Sequence, residues 1–163
     1  MDNNKINKFV NILAKYLVTL FGIGFIPFAP GTLGSIGAII IWYLSITFLN
    51  IYFFYLILIL VFLSSFILID IYIKSKKEED PSEVIIDEFI GQSIPLIFLL
   101  HFNIFEVLLA FCAFRFFDIY KIYPVNKAEN MEGSKGVILD DIVAGIYSLI
   151  ILMALKIILS LNA

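Results

Sequence analysis

The sequence holds only one cysteine and one histidine among 163 residues. Cys112 can form no disulfide within the chain, and one imidazole with one thiol cannot complete the Cys/His ligand set typical of zinc. A Ser–His–Asp or Cys–His catalytic set would depend on His101, which we place at the opposite end of a helix from Cys112. Cys112 lies inside an apolar run, so we predict a small buried hydrophobic side chain there.

Charged residues are also scarce, at 15% of the chain against 61% hydrophobic residues, and the mean hydropathy is +1.01. This composition excludes an ordinary soluble domain and predicts an all-α integral membrane protein. The net charge of −3 is too small to indicate nucleic acid or another partner bound by charge alone. We expect residues 1–163 to form a single membrane-embedded catalytic domain, whose oligomeric state the sequence leaves open.

The stretch from Met1 to Phe28 has the outline of a signal peptide, because lysines at its start give way to apolar residues. Gly22, Gly24 and Pro27 interrupt the apolar part, however, and no small-residue cleavage motif precedes the next run. We therefore predict an N-terminal amphipathic or partly inserted helix.

The remaining apolar runs predict about four spanning units. The first two extend from Leu33 to Leu49 and from Tyr52 to Ile73, with a break at Asn50. The stretch from Ile86 to Tyr120 is too long for one span, and the polar segment His101–Asn103 lies near its middle. This third unit is therefore predicted to be a helical hairpin with two short arms and His101 at its tip.

The fourth unit covers residues 142–161. Lys156 is the only charge inside it, and we expect its long side chain to reach the interface. Small and polar residues recur at helical spacing near its start, which predicts close approach of a neighbouring helix. These residues are Asp141, Ala144, Gly145 and Ser148.

Lysine and arginine residues fall on one side of this topology, in the N-terminal stretch and in residues 74–77 and 115–135. The turns at Asn50 and His101 carry none, so the basic side is predicted to be cytoplasmic. Residues 74–83 are the most polar segment and are expected to be exposed to water. We interpret Asp70, near the end of the second span, as an interfacial carboxylate close to Lys74.

Two segments have the composition of helix starts. Residues 28–35 combine proline, glycine and hydroxyl side chains before an apolar run, which predicts a loop that opens a helix. Thr32 and Ser35 are therefore candidate phosphate contacts, or alternatively ordinary caps that accept hydrogen bonds from the backbone. Asp80-Pro81-Ser82 can likewise cap the helix that follows.

Ionisable residues gather at the cytoplasmic borders of the apolar runs. Arg115, Asp118 and Lys121 are spaced so that a helix places them in one row. Crowded carboxylates repel one another unless bases or a cation compensate, and Mg²⁺ prefers oxygen ligands. The alternative is that the carboxylates are simply solvated at the membrane surface. The predicted cluster consists of Asp80, Asp87, Glu88, Arg115, Asp118, Lys121, Asp140 and Asp141.

Metal-assisted hydrolysis of a phosphate ester is the chemistry that this cluster favours, because the other catalytic sets are missing and bases are available to hold a phosphate. A membrane-embedded site predicts a phospholipid substrate. The alternatives are a small ion-coupled transporter or channel subunit that uses border carboxylates, and a structural membrane-assembly protein. A transporter would distribute charges through the depth of its spans, whereas these gather at one border.

Four segments in order resemble the phosphatidylglycerophosphatase A family: Pro30-Gly31-Thr32 with Gly34-Ser35; Asp80-Pro81 with Ile86-Asp87-Glu88-Phe89 and Gly91-Gln92; Phe114-Arg115-Phe116-Phe117-Asp118 with Lys121 and Pro124; and Gly136 with Asp140-Asp141 and Ala144-Gly145. The resemblance implies Mg²⁺-dependent conversion of phosphatidylglycerophosphate to phosphatidylglycerol, a step of phospholipid biosynthesis, at the cytoplasmic face of a bacterial inner membrane. We accordingly expect catalytic roles for Asp87, Glu88, Asp118, Asp140 and Asp141, all but Asp118 as metal ligands. Arg115, Lys121, Thr32 and Ser35 are the expected phosphate contacts.

Overall fold

The structure, a computed structural model, describes residues 3–78 and 81–161, and the side chains of residues 7–78 and 81–158. This part of the chain contains seven α-helices, one short 3-10 helix and no strand, which confirms the predicted all-α fold. Three of the described helices are long and apolar enough to cross a membrane: α2, α3 and α7. The helices are α1 (Asn3–Val18), the 3-10 helix (Ile23–Phe25), α2 (Pro30–Phe48), α3 (Ile51–Lys76), α4 (Ile86–Leu96), α5 (Ile104–Tyr120), α6 (Val125–Glu129) and α7 (Ser134–Leu161).

Two asparagines start helices at the predicted breaks. The Asn50 side chain accepts a hydrogen bond from the backbone N–H of Tyr52 (3.1 Å) at the start of α3. The Asn103 side chain accepts from the N–H of Phe105 (3.0 Å) at the start of α5. Such caps satisfy N–H groups that have no partner inside the helix. Helices α4 and α5 are thus separated at the predicted turn, in which His101 lies exposed.

At two other helix starts, the side-chain caps that the sequence offered as possibilities are absent among the described residues. Helix α2 begins at Pro30 without a side-chain cap, because proline suits the first helical position, and the Ser35 hydroxyl instead donates to the Gly31 carbonyl (3.1 Å). Helix α4 begins at Ile86, also without a side-chain cap, so Ser82 lies too far upstream to serve as one. Asp80 lies outside the described residues.

Helix α4 packs in the middle of the bundle, against α2, α5 and α7. A side chain at Gly91 would place its Cβ 2.5 Å from the Phe114 ring and 2.6 Å from the Asp141 carbonyl oxygen. Gly145 of α7 lies against the Gly91 carbonyl oxygen in the same way, and the Ser148 hydroxyl donates to the Ala110 carbonyl of α5 (2.8 Å). The predicted close approach along the small-residue stripe is confirmed.

Two side chains lie in surroundings other than those predicted. Cys112 is exposed on α5 rather than buried. The middle of this helix is apolar on all sides, so its sequence does not mark the inward face. Glu83 is buried, although it belongs to the segment expected to be water-exposed, and it accepts hydrogen bonds from the Tyr72 hydroxyl (2.7 Å) and from Lys76. Burial raises the pKa of Glu83, but these two donors outweigh it and hold the pKa below its usual value.

Lys156 has a partner that the sequence did not indicate. Its ammonium group lies 3.0 Å from the Glu106 carboxylate in the first turn of α5. The pair joins the far end of α7 to the hairpin.

Candidate active site

A cavity of about 820 Å³ opens where α4 and α5 meet the start of α2 and the first turns of α7. Seven of the nine predicted site residues line it, so the clustering expected from the topology is present. Thr32 and Ser35 are in the first turns of α2 but do not line the cavity, and Ser35 is completely buried. The seven residues in the lining are Asp87, Glu88, Arg115, Asp118, Lys121, Asp140 and Asp141.

Asp87 and Glu88 occupy the first turn of α4, where the helix dipole favours negative charge. Asp87 is only 9% exposed. Its Oδ1 atom and the Oε2 atom of Glu88 are buried and have no hydrogen-bond partner. Both carboxylates therefore face the cavity with oxygens that no described protein group satisfies.

Asp140 and Asp141 lie in the second turn of α7, because the helix begins at Ser134, ahead of the apolar run that they were predicted to border. Their exposures are 5% and 2%. Asp140 accepts hydrogen bonds from Lys121 and from the backbone N–H of Asp141 (2.9 Å), whereas the Oδ2 atom of Asp141 has no partner among the described residues. The two neighbours thus have different surroundings: within the described part of the chain, Asp140 is paired with a base and Asp141 is not.

Asp87, Glu88 and Asp141 each bring a carboxylate oxygen to within 4.8 Å of the others. Burying an unpaired carboxylate costs several kcal/mol. A cluster of three carboxylates this close together therefore requires compensating positive charge. The alternative of carboxylates solvated at a membrane surface does not fit such low exposure. An all-oxygen donor set suits a hard divalent cation such as Mg²⁺.

The two bases are arranged around Asp118, as the predicted row requires. Arg115 Nη1 lies 2.6 Å from one Asp118 oxygen, and Lys121 Nζ lies 3.7 Å from the other. Burial lowers the pKa of Lys121, but its hydrogen bond to Asp140 and the nearby carboxylates outweigh that effect and raise the pKa, so the amine stays charged. Asp118 is therefore placed to fix the positions of both cations.

Gly31 allows the start of α2 to approach this cluster. A Cβ at this position would overlap the Glu88 carboxylate and would lie 3.1 Å from Arg115 Nη1. Any larger residue would push α2 away from both side chains, which explains why glycine suits this point of the predicted loop.

Asp70 is a residue whose role the sequence did not reveal. Its Oδ1 atom accepts a hydrogen bond from the backbone N–H of Ser134 (3.0 Å) and so satisfies the first turn of α7. Gly133, in a left-handed conformation with φ of +66°, leaves room for this contact, since a Cβ there would lie 3.2 Å from the same oxygen. Asp70 thus anchors the segment that carries Asp140 and Asp141. Only the glycine before the helix start hinted at an unusual cap.

Glu129 and Glu132 also line the cavity and were not among the predicted site residues. Glu129 lies 3.8 Å from Lys121, at the weak end of an ion pair. In the sequence they stand in a polar loop, where acidic residues are common, so no signal distinguished them.

Comparison with known proteins gives matches along most of the chain. A family model described as phosphatidylglycerophosphatase A matches residues 16–156. A protein of Bacteroides thetaiotaomicron, named provisionally as a phosphatidylinositol-3-phosphatase, is 40% identical over 139 residues, which cover 82% of this chain and 87% of the relative.

Two relatives are named phosphatidylglycerophosphatase A. The protein of Haemophilus influenzae is 31% identical over 157 residues, covering 95% of this chain and 96% of the relative. The protein of Escherichia coli is 37% identical over 129 residues, covering 78% of this chain and 74% of the relative. No solved structure matches the chain significantly.

Apolar helices around a buried group of carboxylates and bases, together with these matches, define a helical membrane phosphatase. The predicted enzyme class is thereby confirmed. The chain belongs to the phosphatidylglycerophosphatase A family.

Proposed function

We propose that this protein hydrolyses the terminal phosphate of phosphatidylglycerophosphate in a Mg²⁺-dependent reaction and so supplies phosphatidylglycerol to phospholipid biosynthesis. One observation carries the metal dependence: Asp87, Glu88 and Asp141 gather unpartnered oxygens in the cavity that also holds Arg115 and Lys121. The family and the names of two relatives support the substrate.

Asp87, Glu88 and Asp141 would hold the cation, and Asp140, also a predicted ligand, lies beside them on α7. A bound Mg²⁺ supplies a Lewis acid for the phosphoryl oxygens and lowers the pKa of water. Burial of Asp87, of Asp141 and of the Oε2 atom of Glu88 lowers the local dielectric constant and strengthens their interaction with positive charge.

Arg115 and Lys121 are the proposed phosphate contacts. A guanidinium can bind two phosphate oxygens at once, whereas an ammonium acts as a point charge. Asp118 lies between them and would orient both cations toward the substrate. Thr32 and Ser35 stay predicted contacts, and since the Ser35 hydroxyl donates to Gly31, the first turn of α2 would act mainly through backbone N–H groups.

The proposal includes a location in the inner membrane of a bacterium, with the site on the cytoplasmic face. Helices α2, α3 and α7 and the α4–α5 hairpin would be the four spanning units, and α1 would lie in the interface as an amphipathic helix. The distribution of lysines supports a cytoplasmic position for residues 74–78 and 121–135. A cysteine introduced at Lys127 should resist a membrane-impermeant label added from outside, and its labelling in intact cells would contradict this orientation.

Phosphate release from the purified protein in detergent tests the proposal. We expect release from phosphatidylglycerophosphate in Mg²⁺ and none after chelation, because the carboxylates would then lack their cation. Phosphatidylinositol 3-phosphate belongs in the panel, since a relative that is 40% identical carries a name for that activity. Preparations of Asp141→Asn control for contaminating phosphatases. Phosphate release that is unchanged by chelation would overturn the metal proposal. Faster release from the inositol lipid than from phosphatidylglycerophosphate would replace the proposed substrate.

The transporter alternative has less support. In the described part of the chain, the ionisable groups of the site lie at one end of the bundle, and Glu106 pairs with Lys156 near the other. An ion path would require such groups between these two levels.

A further inference from the structure

Between α1 and α2 the chain exposes a series of large apolar side chains. Phe21 and Phe28 are 78% and 84% exposed, among the most exposed of the described apolar side chains. A patch of this kind is unusual on a surface that faces water and marks a contact with apolar material. The exposed members of this Phe21–Phe28 segment are Phe21, Ile23, Phe25, Ile26 and Phe28.

The segment has a defined conformation. Leu20, Phe21 and Ala29 have left-handed backbones, with φ of 45°, 60° and 48°, a conformation that costs a residue other than glycine about 1 kcal/mol or more. The N–H of Gly24 donates to the Thr19 carbonyl (3.0 Å), and Gly24 lies against the carbonyl oxygen of Glu83. The contacts that offset this backbone strain hold the segment so that its apolar side chains point outward.

The Phe21–Phe28 segment continues into the candidate site at one end and into α1 at the other. Ala29, Pro30 and Gly31, which follow Phe28 directly, line the cavity. On α1, exposed apolar residues recur at helical spacing and lead toward the segment. They are Phe9, Ile12, Leu13 and Tyr16.

Positive charge accompanies this apolar surface. Lys15 lies with its ammonium 4.7 Å from the centre of the Phe25 ring, and Lys8 lies on the same helix. An amphiphile with an anionic headgroup matches this arrangement, because its charge would meet Arg115 and Lys121 while its hydrocarbon stays on the aromatic side chains.

We propose that the Phe21–Phe28 segment binds the acyl chains of the lipid substrate at the entrance of the site and makes the enzyme selective for long-chain lipid phosphates. This inference rests on the proposed function. Phe28 and Phe21 would contact hydrocarbon, while the phosphate enters the cavity beyond Ala29.

The double variant Phe21→Ser/Phe28→Ser tests the inference in kinetic terms. We expect kcat/KM for a long-chain phosphatidylglycerophosphate to fall about tenfold, in line with the loss of apolar burial, while that for the dihexanoyl lipid is unchanged. Phe48→Ser/Phe105→Ser, at exposed positions at the other ends of α2 and α5, should change neither. Equal effects on both lipids, or no effect on the long-chain lipid, would overturn the inference.

Fluorescence provides a second readout that does not depend on turnover. Trp42 is fully buried, so a tryptophan introduced as Phe28→Trp is the exposed reporter. We expect a lipid phosphate with brominated acyl chains to quench this reporter at lower mole fractions than brominated phosphatidylcholine does. Equal quenching by the two lipids would overturn the inference. Absence of phosphate release by the unmodified protein, with selective quenching retained, would overturn the proposed reaction instead.

Discussion

Replacing Arg115 by lysine is expected to lower kcat/KM by about 10- to 100-fold although the positive charge is kept, which corresponds to one or two hydrogen bonds to a charged group. Arg115 lies between Asp118, at 2.6 Å, and the start of α2 at Gly31. In that position its planar guanidinium can hold Asp118 and still present N–H groups to a phosphate. A lysine ammonium cannot do both in the same geometry.

Lys121→Arg is the matched comparison and should have the milder effect, because Lys121 acts as a point charge and already hydrogen-bonds to Asp140. Turnover and thermal unfolding are measured side by side for both variants. Near-normal turnover in Arg115→Lys would remove Arg115 from the site and leave it a structural partner of Asp118. In that case the main effect of Arg115→Ala would be a lower unfolding temperature.

Asp141→Asn and Asp87→Asn are each expected to reduce turnover by more than about 100-fold. Loss of a residue that only hydrogen-bonds to a metal ligand already lowers metal affinity or activity by about 10- to 100-fold, and loss of a ligand should cost more. Asp141 is 2% exposed, and no group in the described part of the chain hydrogen-bonds to its Oδ2 atom. The amide therefore removes negative charge without breaking a hydrogen bond at that atom. Without Mg²⁺ the variants should unfold at the same temperature as the unmodified protein or a higher one, because repulsion among the carboxylates is reduced.

The decisive measurement is the rise in unfolding temperature on adding Mg²⁺, which reports binding to the folded state. The rise should be present in the unmodified protein and lost in Asp141→Asn and Asp87→Asn. Glu106→Gln, which breaks the ion pair with Lys156 at the far end of α7, should retain both the rise and the activity. Retained activity in the asparagine variants of Asp87, Asp140 and Asp141 would contradict the metal site.

The features that the sequence predicted well share one physical basis. In a chain that is mostly apolar, each polar interruption has few alternative explanations, so Asn50 and His101–Asn103 marked the helix breaks. Ionisable residues are expensive near a membrane, and seven of those at the borders of the apolar runs proved to line one cavity.

Other features depend on tertiary contacts that a local pattern does not contain. Helix α7 begins at Ser134 among polar residues, so the apolar run after Asp141 did not mark where the helix starts. The partners of Asp70 and Lys156 are 64 and 50 residues away in the chain. Cys112 was assigned to the wrong face because α5 is apolar all round.

In the proposed membrane orientation, the position of Asp141 along α7 also determines the depth of the carboxylates. From Asp141 to Leu161 the helix rises about 30 Å at 1.5 Å per residue, the thickness of the hydrocarbon core of a bilayer. In the proposed orientation, the turn of α7 that precedes Asp140 and the end of α5 beyond Arg115 would lie above that level, in the headgroup region. In that orientation the proposed lipid substrate would bring its phosphate to the site by lateral diffusion within its own leaflet, and the enzyme would not need to extract it into water.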